Sequence, residues 1–423
     1  MRLPSILSFL VMLAAPQAAF AQVAVADSGD TGWMILCALL MLVAALPGLM
    51  LRHAGQTNVR NALSVMTQGT GVMAVVSLGW AIVGYSLVYA PGSDLLGGGA
   101  NILLANLGQL RDGLTVPESA FVLFQMGPAL IAVSLLVGAV AERIRIGWLL
   151  PFAFLWLLLV YVPVAHAIWA GGWLANLGVM DFAGGLVVHM VAGFSALALT
   201  LIAGARRERS NAGHSAVLSI TGSALVWIGL SGLVGGWALG ATDAAATALL
   251  NYHFAACAAA LVWALLDRLL GARSSATGVP SGALAGIAAI SASAALVGTG
   301  GAMMIGAIAA LVCRLGASII NRRVDDNASI FIIHGLGGAT GVLLLPLFAL
   351  PLLGGVGFDA NISLSGALTS QAIGLVIVAL WAMVGSAIAA LTVSIIIPMR
   401  VDAQTEAEGL DAAQHGQQGW DFR

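Results

Sequence analysis

Long apolar runs separated by short polar breaks dominate the chain from residue 32 to residue 397. Most runs reach the roughly 20 residues that an α-helix needs to cross a bilayer, and their breaks gather arginine, aspartate, glycine and proline. Apolar runs of this length predict eleven membrane helices, over 32–52, 62–89, 119–141, 147–167, 181–203, 216–238, 248–268, 279–298, 301–320, 329–352 and 371–397. The fold class expected is an all-α polytopic membrane protein.

One run carries an ionisable group into its middle. Asp181-Phe182-Ala183-Gly184-Gly185 opens the fifth helix, and Val187-Val188-His189 follows, with Gly193 four positions beyond the histidine. The tenth helix repeats the pattern as Ile332-Ile333-His334, with Gly338 again four positions on. A single histidine in an apolar helix is more often a packed, hydrogen-bonded interface residue than a functional one. Its recurrence in the second half points instead to one site built from two related halves. The halves are helices one to five and six to ten, opposite in orientation because five is odd, with helix eleven outside the repeat. Desolvation favours neutral imidazoles at that depth, and two of them in contact share a proton and offer a small polar guest both donor and acceptor.

Composition closes off other classes. The 423 residues are 60% hydrophobic and 8% charged, with mean hydropathy +1.01, which excludes a soluble globule. A formal charge of -2 gives no sign of nucleic-acid binding. Cys37, Cys257 and Cys313 lie in apolar runs without ligand spacing, so no metal is expected. Residues 1–21 read as a signal peptide: Arg2, an apolar stretch to Ala15, then Ala19-Phe20-Ala21 before Gln22. Cleavage there leaves the amino terminus outside and implies a bacterial inner membrane. Residues 22–400 form the membrane domain and 401–423 a polar cytoplasmic tail. Arg52, Arg60, Arg143, Arg145, Arg206, Arg207, Arg209, Arg268, Arg273, Arg322, Arg323 and Arg400 then fall to the inner side, and only Arg111 is plainly outside. That asymmetry predicts an N-out, C-in topology.

Around the histidines, Asp181 reads either as a helix cap or as a charge that draws cations to the outer mouth. Trp169 reads as an interfacial anchor or as a cation–π seat. His166, His214, His253 and His415 sit near helix ends or loops and are expected to be solvated. The glycine-rich segment 91–118 is an ordered rim or a plain linker. No Walker loop, dinucleotide turn or nucleophile elbow is present, so neither enzyme nor cofactor is expected.

Together these residues resemble the ammonium transporters of the Amt/Mep/Rh family, from about Asp27 to Trp420. The resemblance rests on Asp181 to Gly185 with His189, on Ile333 to Gly338, and on Gly138-Ala139-Val140-Ala141-Glu142-Arg143. It rests also on Ser281 to Gly286 and on the tail residues Glu408-Gly409-Leu410-Asp411 with His415-Gly416. It implies a homotrimer with one narrow pore per subunit, in which ammonium, or methylammonium, loses its proton before crossing. By that resemblance Asp181 and Trp169 recruit ammonium in the outer vestibule, His189 and His334 are the pore histidines, and the tail is an arm for a PII-type signal protein.

The outer gate departs from the family. Phe124-Gln125-Met126-Gly127-Pro128 puts Pro128 where a gate phenylalanine belongs, Leu233 takes the place of the second ring, and Trp237 that of a vestibule serine. Trp237 facing Trp169 either narrows the vestibule, makes a two-ring cation site, or closes it. Two functions follow: ammonium transport, or an ammonium sensor with low flux.

Overall fold

The computed structural model describes residues 26–208, 213–271, 275–358 and 362–420, so the signal-peptide segment lies outside the described residues. Among the described residues ten helices are long and apolar enough to cross a membrane. They are α1 (Ser28–Gln56), α2 (Val59–Tyr89), α3 (Glu118–Val140), α4 (Ile146–Asn176), α5 (Gly185–Ala203), α6 (Ala216–Gly236) and α7 (Asp243–Leu269), then α9 (Thr299–Ile320), α10 (Phe331–Phe348) and α11 (Leu364–Ser394). Between α7 and α9 lies α8 (Gly278–Ile290), a shorter apolar helix. No β-strand occurs among the described residues, only three isolated bridges.

Several boundaries differ from the hydropathy pattern, α4 running on to Asn176 and α11 starting at Leu364, and two of the differences have a visible physical cause. The run expected to be helical over 279–298 stops at Ile290 and continues as turns, because Ser291 and Ala292 give their carbonyls to Ala183 N (2.8 Å) and Phe182 N (3.0 Å) instead of to a further helical turn. The fifth helix begins at Gly185 rather than at Asp181. Gly184, at φ 93°, takes the left-handed conformation that turns the chain into the helix, one a Cβ would strain.

Close approach of helices depends on glycine, as expected where lipid supplies no hydrophobic drive between them. A Cβ on Gly222 would fall 2.2 Å from Arg52 N, and one on Gly229 2.5 Å from Ala44 N, so α6 lies directly on the α1 backbone. The same contact joins α5 to α10. A Cβ on Gly193 would fall 2.2 Å from Gly335 N, and one on Gly338 2.8 Å from Gly185 O. The glycine four residues after each histidine is thus where the other helix crosses.

Short helices α12 (Ala403–Glu408) and α13 (Leu410–His415) bind the tail to the body, where the sequence suggested a free polar arm. Asp411 accepts from Ser64 N (2.7 Å) and Leu63 N (3.1 Å), and Glu406 pairs with Arg400 and Arg207. This side of the molecule is the tail side. Opposite it, residues 90–117 form an ordered cap. His166 is buried rather than solvated, its ring nitrogens 2.6 Å from Val88 O and 2.8 Å from Ser93 O, and so ties α4 to that cap. His214 and His415 are half-buried, and His253 alone of the four is exposed. Arg52 and Arg143, expected in loops, are also buried, and Arg209 and Arg273 lie outside the described residues.

The crossing predicts that Gly193→Val forces α5 and α10 apart at a cost of about 1–3 kcal/mol. Thermal unfolding of the purified protein in detergent should show a lower midpoint than for the parent. Gly147→Val, with nothing within 4 Å of its Cβ, should not. Equal midpoints for the two variants would contradict the close crossing.

Candidate functional site

Both histidines sit in the first turns of their helices, and both turns are π-helical: Gly185–Met190 in α5 and Phe331–Leu336 in α10. Widened turns of this kind leave backbone N–H groups to be satisfied from outside, and a carboxylate does so in each half. Asp181 Oδ2 accepts from Leu186 N and Val187 N, both at 2.9 Å. Asp326 Oδ2 accepts from Phe331 N at 2.7 Å. Each aspartate precedes its histidine by eight residues, a repeated spacing that the sequence displays and the reading above did not use. Of the two readings of Asp181, the cap is the one whose partners are visible.

The segment before α5 is clamped from two sides. Gln371 on α11 both donates to Met180 O and accepts from Met180 N, each at 2.8 Å. The turn after α8 holds Phe182 and Ala183 as described, and brings Ser291 to the histidines.

His189 and His334 meet through their Nδ1 atoms, 3.0 Å apart, with the rings within 17° of parallel. Both are buried, 0% and 2% exposed. Their tautomers follow from the hydrogen-bond network. Ser291 Oγ donates its one hydrogen to Ile287 O (2.8 Å), so toward His189 Nε2, 3.1 Å away, it accepts. His189 therefore carries its proton on Nε2, and its bare Nδ1 accepts from His334 Nδ1–H. Neutral His334 is then left with a bare Nε2, a hydrogen-bond acceptor.

On the far side the aromatic residues form one cluster of tilted rings. Trp169 and Trp237 have ring centroids 3.8 Å apart, and Phe124 stands 5.6 Å from Trp237. Rings at 3.8 Å touch, so no cation fits between them. Trp169 Nε1 donates to Asp181 O (2.9 Å), fixing its ring over the start of α5. Leu233 is fully buried on α6, one turn before Trp237, and Pro128 is buried inside α3 one turn past Phe124. Phe124, Trp169, Trp237 and Asp181 thus come together at one mouth.

On the tail side a cavity of about 460 Å³ is lined by Gln56, Ser219, Thr277, Asp326 and Asn327 among others. Beside it Asp325 pairs with Arg206 (2.8 Å) and Arg143 (3.6 Å), and Arg206 also pairs with Glu142. Burial pushes the Asp325 carboxyl up, but the hydrogen bonds and charge of Arg206, with the charge of Arg143, outweigh it and hold the group below its usual value. Among the described residues no cluster of three or more His, Cys, Asp or Glu side chains suits a metal ion.

The Ammonium Transporter Family model matches residues 32–420. The ammonium transporter of Bacillus subtilis is 34% identical over 93% of this chain and 98% of its own length. The Archaeoglobus fulgidus ammonium transporter Amt1 is also 34% identical, over 92% of this chain and 98% of its own. Among solved structures, one titled Sensor Amt Protein superposes with TM-score 0.85 at 26% identity, covering 92% of this chain and 98% of that one. Candida albicans Mep2 superposes with TM-score 0.82 at 30% identity, over 89% and 87%. With matched residues running from α1 into the docked tail, and relatives similar over nearly the whole chain, the protein belongs to the ammonium transporter family.

Proposed function

We propose that this ammonium transporter carries its guest along a path centred on His189 and His334, with ammonium giving up its proton before the buried passage. The observation that carries the reading is the 3.0 Å imidazole pair at the crossing of α5 and α10. A dry passage rejects hydrated sodium and potassium, which have no proton to leave behind, whereas ammonium sheds its charge and crosses as ammonia. Bare His334 Nε2 then accepts an ammonia N–H. Methylammonium, with the same N–H donors, is a usable surrogate. The chain acts as a transporter rather than an enzyme.

Topology is part of the proposal. With α8 and its following turns counted as a crossing, the chain passes the bilayer eleven times. Arg145, Arg207, Arg322 and Arg400 lie toward the tail side and Arg111 toward the other, which supports a cytoplasmic tail, an outer aromatic mouth and a bacterial inner membrane. The assembly is a homotrimer, and the docked tail with Asp411 at the start of α2 is the surface for a PII-type protein.

A second reading is favoured by one observation. The Trp169–Trp237 contact at 3.8 Å fills the mouth, as suits a sensor that binds ammonium with little flux.

Removing one imidazole strands the other, at about 1–3 kcal/mol for a buried unsatisfied polar group. His189→Ala and His334→Ala should each abolish ammonium transport or alter its selectivity, and the double variant should be little worse than either, since the pair acts as one unit. Labelled methylammonium uptake into proteoliposomes measures this; strictly additive losses would mean the pair is structural.

Trp169→Leu should weaken capture between a few-fold and about thirtyfold, the range of a cation–π contact of about 0.5–2 kcal/mol. Trp237→Ser should open the mouth and raise uptake. A parent without measurable flux, made active by Trp237→Ser, would decide for the sensor reading, and unchanged kinetics in both variants would remove the rings from the route.

A further inference from the structure

His166 is a buried histidine outside the pair, and its two neighbours fix its charge. It is 5% exposed in α4, with Nδ1 2.6 Å from Val88 O at the end of α2 and Nε2 2.8 Å from Ser93 O in the cap. A backbone carbonyl only accepts, and a neutral imidazole has one N–H and one lone pair, so a neutral ring would set its lone pair against an oxygen. Only the imidazolium donates to both.

These bonds clasp the cap to the turn that carries Trp169. His166 O accepts from Ala170 N and Gly172 N, both at 3.3 Å, and Trp173 N reaches back to Asp94 O in the cap at 3.2 Å. A Cβ on Gly172 would fall 2.8 Å from Asp94 O, so the cap rests directly on this turn. Trp169 donates from Nε1 to Asp181 O and touches Trp237. The turn is thus held between the cap and the start of α5. Of the charged and titratable groups on the surrounding elements, α2 brings Tyr85 and Tyr89, the cap Asp94, α4 itself Tyr161, and the segment before α5 Asp181. Glu118, at the start of α3, is taken by Tyr85 and Arg111. Among the described residues no carboxylate oxygen lies within ion-pair distance of His166, so the two carbonyls are what hold its second proton.

We propose that His166 is a positioning residue for the outer mouth: a doubly protonated imidazole that clasps the cap to the Trp169 turn and lets go as pH rises. The proposal rests on the reading of Trp169 as the capture residue given above. Hydrogen bonds from a charged donor are about twice as strong as neutral ones, and a histidine gives up its second proton between about pH 5 and pH 8. With both protons in place, α2, the cap and α4 are tied through one ring. When one proton leaves, a lone pair faces a carbonyl and one of the two ties is lost. The clasp is therefore complete at the acid end of this range and weakens toward the alkaline end. Without it the Trp169 ring is no longer braced against Asp181 and Trp237, and capture of a cation weakens.

The test uses the full-length protein in proteoliposomes. His166 is the one histidine of the chain that follows an alanine, so labelling alanine carbonyls together with histidine picks out its ring in solid-state NMR. The ring should carry protons on both nitrogens at about pH 5.5 and have lost one by about pH 8. Hydrogen exchange of residues 92–98, compared with His166→Gln at the same pH, should be about tenfold slower in the parent at about pH 5.5, the scale of a hydrogen bond to a charged group, and equal at about pH 8. His166→Gln keeps an N–H donor without the charge. KM for labelled methylammonium, which stays protonated over this range, should rise several-fold with pH in the parent and stay level in His166→Gln. A ring already neutral at about pH 5.5, or an exchange ratio that does not change with pH, would overturn the clasp. A level parent KM beside a changing exchange ratio would overturn its hold on the mouth. The ring measurement needs the parent alone, so it decides even where the variant fails to assemble. A parent without labelled uptake would count against the transport reading only, because the ring and exchange measurements still decide the role of His166.

Discussion

Bare backbone at the crossing of α5 and α10 is the constraint on which the rest depends. Gly193 against Gly335 and Gly338 against Gly185 bring the helices close enough for two short imidazoles to meet Nδ1 to Nδ1. A methyl group at either crossing glycine would need space already occupied by the opposing chain. The histidine spacing is thus set by what the helices lack rather than by any bond drawn between them.

From that crossing the other polar groups follow, because a bilayer interior offers no water to satisfy them. The π-helical first turns of α5 and α10 leave N–H groups over, and Asp181 and Asp326 accept from them. Ser291 fixes the His189 tautomer through its own bond to Ile287 O, and that choice passes to His334. Within the pair, each satisfied donor narrows the alternatives until Nε2 of His334 is left bare. A site for a small N–H guest is the residue of this accounting.

Hydropathy alone located the apolar helices and both histidines, since a lone ionisable group stands out in an apolar run. It misplaced Arg52, because a window average near a run's end cannot distinguish an arginine facing water from one facing Ser223 and Ser281. It overextended α8, whose last turn is undone by Phe182 and Ala183, residues more than a hundred positions away. Asp326 was legible in principle, through the spacing of eight that it shares with Asp181. Ser291 and Gln371 carried no sequence signal, as their roles arise only when α8 and α11 are set against α5. Trp237 was recognised as a departure, but whether its ring would face, flank or touch Trp169 was a matter of tertiary contact.

Binding and passage are controlled at different levels of this molecule. The middle, with its histidine pair and capping aspartates, is built the same way in both halves and offers a guest a neutral acceptor. The two ends are unlike: aromatic rings in contact on one side, a guanidinium held by two serines on the other. An aromatic face attracts a cation but, in contact with a second ring, leaves it no depth to enter.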